Sequence, residues 1–303
     1  MKTQSKVIKN FILTALVSLF IFSYALANDK DGKGSLERLN QARIEYQSDK
    51  DALDQIDRKK EEIFTKNKHQ KIPNSGPEWS EALEVWLPLF QKAEASYPEY
   101  LNALVHAYCD LPSASNQAKE LREEIEQQHP RSSITVNDQE RRAQLANAAL
   151  PHLLNQGLER EKAKFFAQFL KPGFSTKVDD FFHLLRLPAE PQDWSEQLAY
   201  SVASLRAGKI STARSENKKL LKKATRFADI HQEYPKEKRN PTYSKKVKEY
   251  RFYRALIEAH DGKGKQARKF LSLALENTTI EKLDPIIQKL VQEIKKRLQG
   301  LSQ

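Results

Sequence analysis

Between Ser35 and Lys66 the apolar residues recur at the spacing of one helix face: Leu39, Tyr46 and Leu53 lie seven apart, with Ala42, Ile56 and Ile63 at complementary positions. Asp49 and Lys60 interrupt that stripe. The pattern predicts one long charged amphipathic helix that either docks on the body or forms a weak coiled-coil arm, since a strong seam keeps both position sets apolar. Pro73, Gly76 and Pro77 then mark a linker. Beyond it, "EWSEALEVWLPLFQKAEASYP" is apolar at Trp79, Leu83, Trp86, Leu87 and Phe90. Pro88 predicts a kink or a restart there, because proline removes a backbone donor.

Shorter helical segments follow, each with its own stop. "PEYLNALVHAYCDL" ends near Pro112, "ASNQAKELREEIEQQHP" at Pro130, and a helix capped by Asn137 or Asp138 runs to about Gly157. "LEREKAKFFAQFLKPG" stops at Pro172 and Gly173, and a short helix from 174 closes at Pro188 and Pro191. Asp193 with Glu196 has the spacing of a capping box. Helices are then expected over Ser211 to His231, over the stretch ending at His260, and from Pro285 to Gly300 behind an Asp284 cap. The only strand-like run is "SSITVND" at 132 to 138. The chain therefore reads as all-α, built of stacked antiparallel helical hairpins. Its expected divisions are a leader at 1–27, a tail and long helix at 28–70, a first hairpin group at 78–173 and a second, basic group at 174–303.

One internal similarity organises the second group. When "AYSVASLRAGKISTARSENKKLL" (199–221) is set beside "YRALIEAHDGKGKQARKFLSLAL" (253–275), Gly208 aligns with Gly262, Ala213 with Ala267 and Arg214 with Arg268. A glycine closing one helix, with an alanine five residues later that lets the next helix pack closely, describes a repeated hairpin. It also accounts for the second of two D-G-K-G tetrapeptides, at 261–264, as a turn between helices. The first, at 31–34, offers Asp29, Asp31 and Gly34 at the first, third and sixth positions of a calcium loop, yet Lys33 and Asn40 stand at its fifth and twelfth. A flexible tail is the better reading, and neither copy has the spacing of a phosphate loop.

The Gly…Ala hairpin resembles the tetratricopeptide repeat. Ala255, Gly262, Ala267 and Ala274 stand at that family's small-residue positions and Leu271 at its large one, while Arg251 and Thr279 replace its early tryptophan and closing proline. The marker alanines Ala163, Ala213 and Ala267 are 50 and 54 apart, against a family period of about 34. The resemblance implies stacked hairpins with a groove for protein partners, and it implies no catalysis.

Charge sharpens the picture. Residues 28–205 carry a net charge of −6 and residues 206–303 a net charge of +14. A cationic surface attracts phosphate, carboxylate or sulfate over about 8 Å at physiological salt. The candidate residues are Lys218, Lys219, Lys222, Lys223 and Arg226 in "KKLLKK" and the turn after it, then Lys238, Arg239, Lys245, Lys246 and Lys248 in the basic linker and helix that follow. Leu220 and Leu221 are expected to face inward.

The first 27 residues have the form of a signal peptide: Lys2, Lys6 and Lys9, an apolar run from Phe11 to Tyr24, then Ala25 and Ala27 at the cleavage site. The expected mature chain, from Asn28, is periplasmic or secreted. Export makes nucleic acid a poor partner and leaves a protein in the helical groove, anionic lipid or an envelope glycan. Cys109 is the only cysteine, so no intramolecular disulfide forms and the fold relies on its apolar core.

Catalytic signatures are sparse. His106 with Asp110, and Asp179 with His183, lie four apart and give half a metal site each. Cys109 with His106 is the beginning of a nucleophile pair, although Leu104, Ala107 and Leu111 point to a buried packing thiol. The expectation is a non-enzymatic helical scaffold without cofactor or metal.

Overall fold

The structure of the protein, a computed structural model, describes residues 33–68, 74, 76–128, 136–171, 193–232 and 241–301. The expected signal peptide, Asp29 and Asp31, the helix expected from 174, and the linker with Lys238 and Arg239 lie outside the described residues. Among the described residues the regular elements are helical, so the chain is all-α. Two compact units divide it, Met1–Ala103 and Leu104–Gln303.

In the first unit, α1 (Lys33–Lys66) runs antiparallel to the start of α2 (Pro77–Asp110). Contacts that descend one helix as they climb the other define the register: Lys66 with Glu78, Ile63 and Ile56 with Ala82, Asp49 with Lys92, and Tyr46 with Tyr97. Leu39, Tyr46, Ile56 and Ile63 are buried, as their spacing requires. The two charges that interrupt the stripe have specific partners. The buried Asp49 carboxylate meets Lys92 Nζ at 2.7 Å, and Lys60 Nζ lies 4.2 Å from the Trp86 ring centroid in a cation–π contact.

Pro88 does not divide α2, which is a single 34-residue helix containing both Pro88 and Pro98. Pro88 is on the exposed side, where water can solvate the carbonyl that loses its donor. Ala82 and Ala93, on either side of it, stay in one buried stripe.

Among the described residues, the second unit contains the end of α2 and eight further α-helices: α3 (Asn116–Gln128), α4 (Val136–Leu153), α5 (Arg160–Phe169), α6 (Asp193–Arg206), α7 (Ile210–Gln232), α8 (Thr242–His260), α9 (Gly264–Leu275) and α10 (Pro285–Gly300). α4 and α5 pack on α6, α6 on α7, α7 on α8, and α8 on α9 and α10. Residues 136–138 of the strand-like run lie in α4. Asp193 is the first residue of α6, and the Glu196 carboxylate accepts from Arg142 of α4 at 3.2 Å. Asp284 does cap α10, accepting from the Ile286 N–H at 2.8 Å ahead of Pro285.

The turns α6–α7 and α8–α9 share one geometry. Gly208 and Gly262 have φ of 84° and 72°, in the left-handed region. The Gly208 N–H donates to Leu205 O and the Lys209 N–H to Ser204 O; Gly262 donates to Ala259 O and Lys263 to Glu258 O. This pair of bonds is the Schellman stop, which satisfies carbonyls the helix leaves open. Five residues beyond each glycine, Ala213 and Ala267 are completely buried, as are Ala255 and Ala274. The second D-G-K-G is thus a helix stop, and its Asp261 pairs with Arg214 and Lys263.

Cationic side chains tie the helices by a second device. Lys162, almost wholly buried, donates Nζ to the carbonyls of Cys109 (2.6 Å) and Leu111 at the end of α2, and to Glu159. Arg142 reaches Lys171 O after α5, and Arg160 reaches Ala207 O after α6. Arg206 donates to Leu153 O (2.9 Å) and Leu154 O (3.1 Å) at the end of α4 and, bidentate, to Glu293 of α10 at 2.8 and 2.7 Å. Arg214 grips Glu258 of α8 at 3.1 and 3.2 Å.

Gly262→Ala meets no atom within 4 Å, so its cost is backbone strain alone. Urea unfolding should show a loss of about 1 kcal/mol, while Ala267→Leu should lose about 1–3 kcal/mol through overpacking. Unchanged stability in both would contradict the hairpin geometry.

Candidate functional site

α7 carries the sequence's most basic run, and its two faces differ sharply. Ala213, Asn217, Leu220, Ala224 and Ala228 form the buried stripe. Asn217 Nδ2 donates to Tyr250 O at 3.2 Å, and Phe227 packs edge-on to Trp194 and stacks on Tyr243. These contacts hold the helix in one rotation about its axis. Lys218, Lys222 and Arg226 therefore stand exposed in a row, one turn apart.

With Leu221, Thr225, Asp229 and Ile230 they line a shallow, open groove along the outward face of α7 alone. Leu221 is half-buried at the groove, in contrast to the inward orientation its sequence predicts. It stands about 100° round the helix from the fully buried Leu220, at the edge of the core stripe. Thr225, Asp229 and Ile230 were missed by sequence reasoning, although their spacing from Lys218 and Lys222 places them on this face. The groove combines two apolar side chains, three cations and one carboxylate. Leu221 and Ile230 stand on opposite flanks of the face, and the three cations against one carboxylate give it a net positive charge.

Several of the remaining described basic candidates are engaged elsewhere. Lys219 pairs with Glu216 at 2.7 Å and Lys246 with Glu249 at 3.2 Å. Lys223 is half-buried. Lys248 donates to Glu276 O at 2.8 Å and Thr278 Oγ1 at 3.0 Å, capping the end of α9. Lys245 is exposed on α8. A second open groove, of about 630 Å³, lies along α9 beside Arg268, Leu271 and Leu275. In the first unit, Leu83, Leu87 and Phe90 form an exposed apolar stripe on α2.

Several titratable groups of the second unit are engaged in packing and ion pairs. Burial pushes the Cys109 thiol far up, against the pull of Lys162, which leaves little nucleophilic thiolate. His106 Nδ1 lies 3.1 Å from Asp110, as their spacing predicts. Its ring also packs on His152, 5.2 Å between centroids, a juxtaposition that their separation in sequence hides. Burial alone would raise the Glu293 carboxyl, but hydrogen bonds from Arg206 and His260 hold it well below the usual carboxylate range. Among the described residues, no three of His, Cys, Asp and Glu are grouped to hold a metal ion.

His152 links this core to pH. Burial, reinforced by His106, pushes it down to about 4 from an ordinary 6.5. Between those values the unfolded chain binds the additional proton, so stability is full above the upper value and is lost as pH falls toward the lower one. From pH 7 to pH 5 the loss should be about 2 kcal/mol. Urea midpoints of wild type and His152→Gln check it: the variant should lose distinctly less over that interval, and equal losses would contradict the assignment.

Comparison with protein-family models, with characterised proteins and with solved structures found no match.

Proposed function

We propose that this chain is a non-enzymatic, exported helical-repeat scaffold or adaptor that mediates protein–protein interaction in the cell envelope. The observation that carries this reading is the repeated hairpin: two glycine stops of the same hydrogen-bonding pattern, each followed by a completely buried alanine. That repetition supports a tetratricopeptide-like arrangement, in which the hairpins are support and their outward faces are the working surface. The exposed stripe Leu83, Leu87 and Phe90 adds support, because regularly spaced large apolar side chains in water suit a protein surface.

A second reading rests on the exposed row Lys218, Lys222 and Arg226 with Lys245: binding of an anionic membrane or envelope glycan. Affinity capture by the chain from Asn28 to Gln303, from its native envelope at low and high salt, separates the two. The scaffold reading expects a defined protein retained at high salt. Recovery of anionic lipid or glycan alone, lost as salt rises and lost on neutralising Lys218, Lys219, Lys222 and Lys223, would replace it with the second.

A further inference from the structure

We propose that the end of α2, residues 104–110, is an acid-released latch, which the buried contact between His106 and His152 keeps closed at neutral pH and frees as the medium acidifies. The device lies within the second unit and does not depend on what the scaffold binds.

Contacts from α4 and α5 hold that helix end. Lys162 of α5 donates Nζ to the carbonyls of Cys109 and Leu111. Tyr108 packs edge-on to Phe165 and Phe166, with ring centroids 5.3 and 5.9 Å apart. Just beyond the helix, the Ser113 N–H donates to the Glu159 carboxylate at 3.2 Å. On the α4 side the His106 ring meets the His152 ring, 5.2 Å between centroids, and both are buried.

These contacts answer acid differently. The Lys162 ammonium has no further proton to gain. Donation from Ser113 holds the Glu159 carboxyl below its ordinary range, so that contact persists at pH 5. The imidazoles are the groups that can gain charge there. His152 is faced by His106 and Asp110 of α2 and by Lys162 of α5, while Arg206 of α6 holds the carbonyls of Leu153 and Leu154 immediately after it. Asp110 favours a proton on His152, but its carboxylate lies 3.1 Å from His106 Nδ1; His106 and Lys162 oppose one. A protonated His152 would be a cation out of water beside a second imidazole and a buried ammonium, a state that costs free energy until the ring reaches solvent. Opening the end of α2 supplies that solvent, while α4 stays packed on α6 and α6 to α10 stay packed in their stack.

Cys109, the chain's only thiol, sits half-buried in the latch and reports its opening. The test follows labelling of Cys109 in the full-length chain by 4,4′-dithiodipyridine, which stays reactive in acid, relative to the rate in urea-unfolded chain at the same pH. With His152 held down to about 4 in the closed latch against an ordinary 6.5, that ratio should rise about twentyfold from pH 7 to pH 5. Below the unfolding transition, labelling should depend on urea with less than about half the slope of global unfolding, as a local opening does. In His152→Gln the rise should shrink to less than about threefold. No rise, an equal rise in His152→Gln, or a urea slope equal to the global one would overturn the proposal. Should that variant not fold, the wild-type ring decides by NMR: a His152 imidazole still neutral at pH 5 in the native protein supports the latch, and one protonated by pH 6 without any change in labelling overturns it.

Discussion

The second unit depends on the carbonyl ends of its helices being met by cations from elsewhere in the fold. A helix leaves its last carbonyls without donors and carries partial negative charge there. Here Lys162 closes the end of α2, Arg142 the end of α5, Arg160 the end of α6, Arg206 the end of α4 and Lys248 the end of α9. Because each cation belongs to a different element from the one it caps, every cap is also a tie between helices. Lys162 and Arg206 are deeply buried, so these ties are tolerable only because their donors are met by carbonyls and carboxylates.

This constraint changes the meaning of the basic C-terminal third. A net charge of +14 over residues 206–303 invites a reading as one large anion-binding surface. The structure divides that charge. Arg206, Arg214, Lys248 and Arg254 build the stack, whereas Lys218, Lys222 and Arg226 project from it. Exposed cations also stand on other helices, Lys245 on α8, Lys265 and Lys269 on α9, and Lys289, Lys295 and Lys296 on α10, so the outward charge is spread over the unit while the buried part of it holds the stack together.

The helical class was legible in the sequence because the 3.6-residue period reports burial directly: Leu39, Tyr46, Ile56, Ala213 and Leu220 are buried as their spacing demands. Glycine stops were legible because Gly208 and Gly262 perform a local task that needs no distant partner. Features that depend on such partners were not. Glu196 has the spacing of a cap but answers Arg142, 54 residues away, and Lys248 has the composition of a binding patch but closes a helix. His106 and His152 meet only through packing. Of the two outcomes expected at Pro88, a kink or a restart, the restart does not occur, because the helix continues with Pro88 on its exposed side, and that exposure is a tertiary property.

The division of cations into those that hold the stack and those that project from it is tested most directly by comparing unfolding free energies in urea for Arg206→Met and for Lys222→Glu with Arg226→Glu. Removing Arg206 leaves the Glu293 carboxylate buried and strands the carbonyls of Leu153 and Leu154, so a loss of about 3–5 kcal/mol is expected. Reversing the two exposed cations should change stability by only about 0.5 kcal/mol. Comparable losses in both, or a larger loss in the exposed pair, would contradict the account.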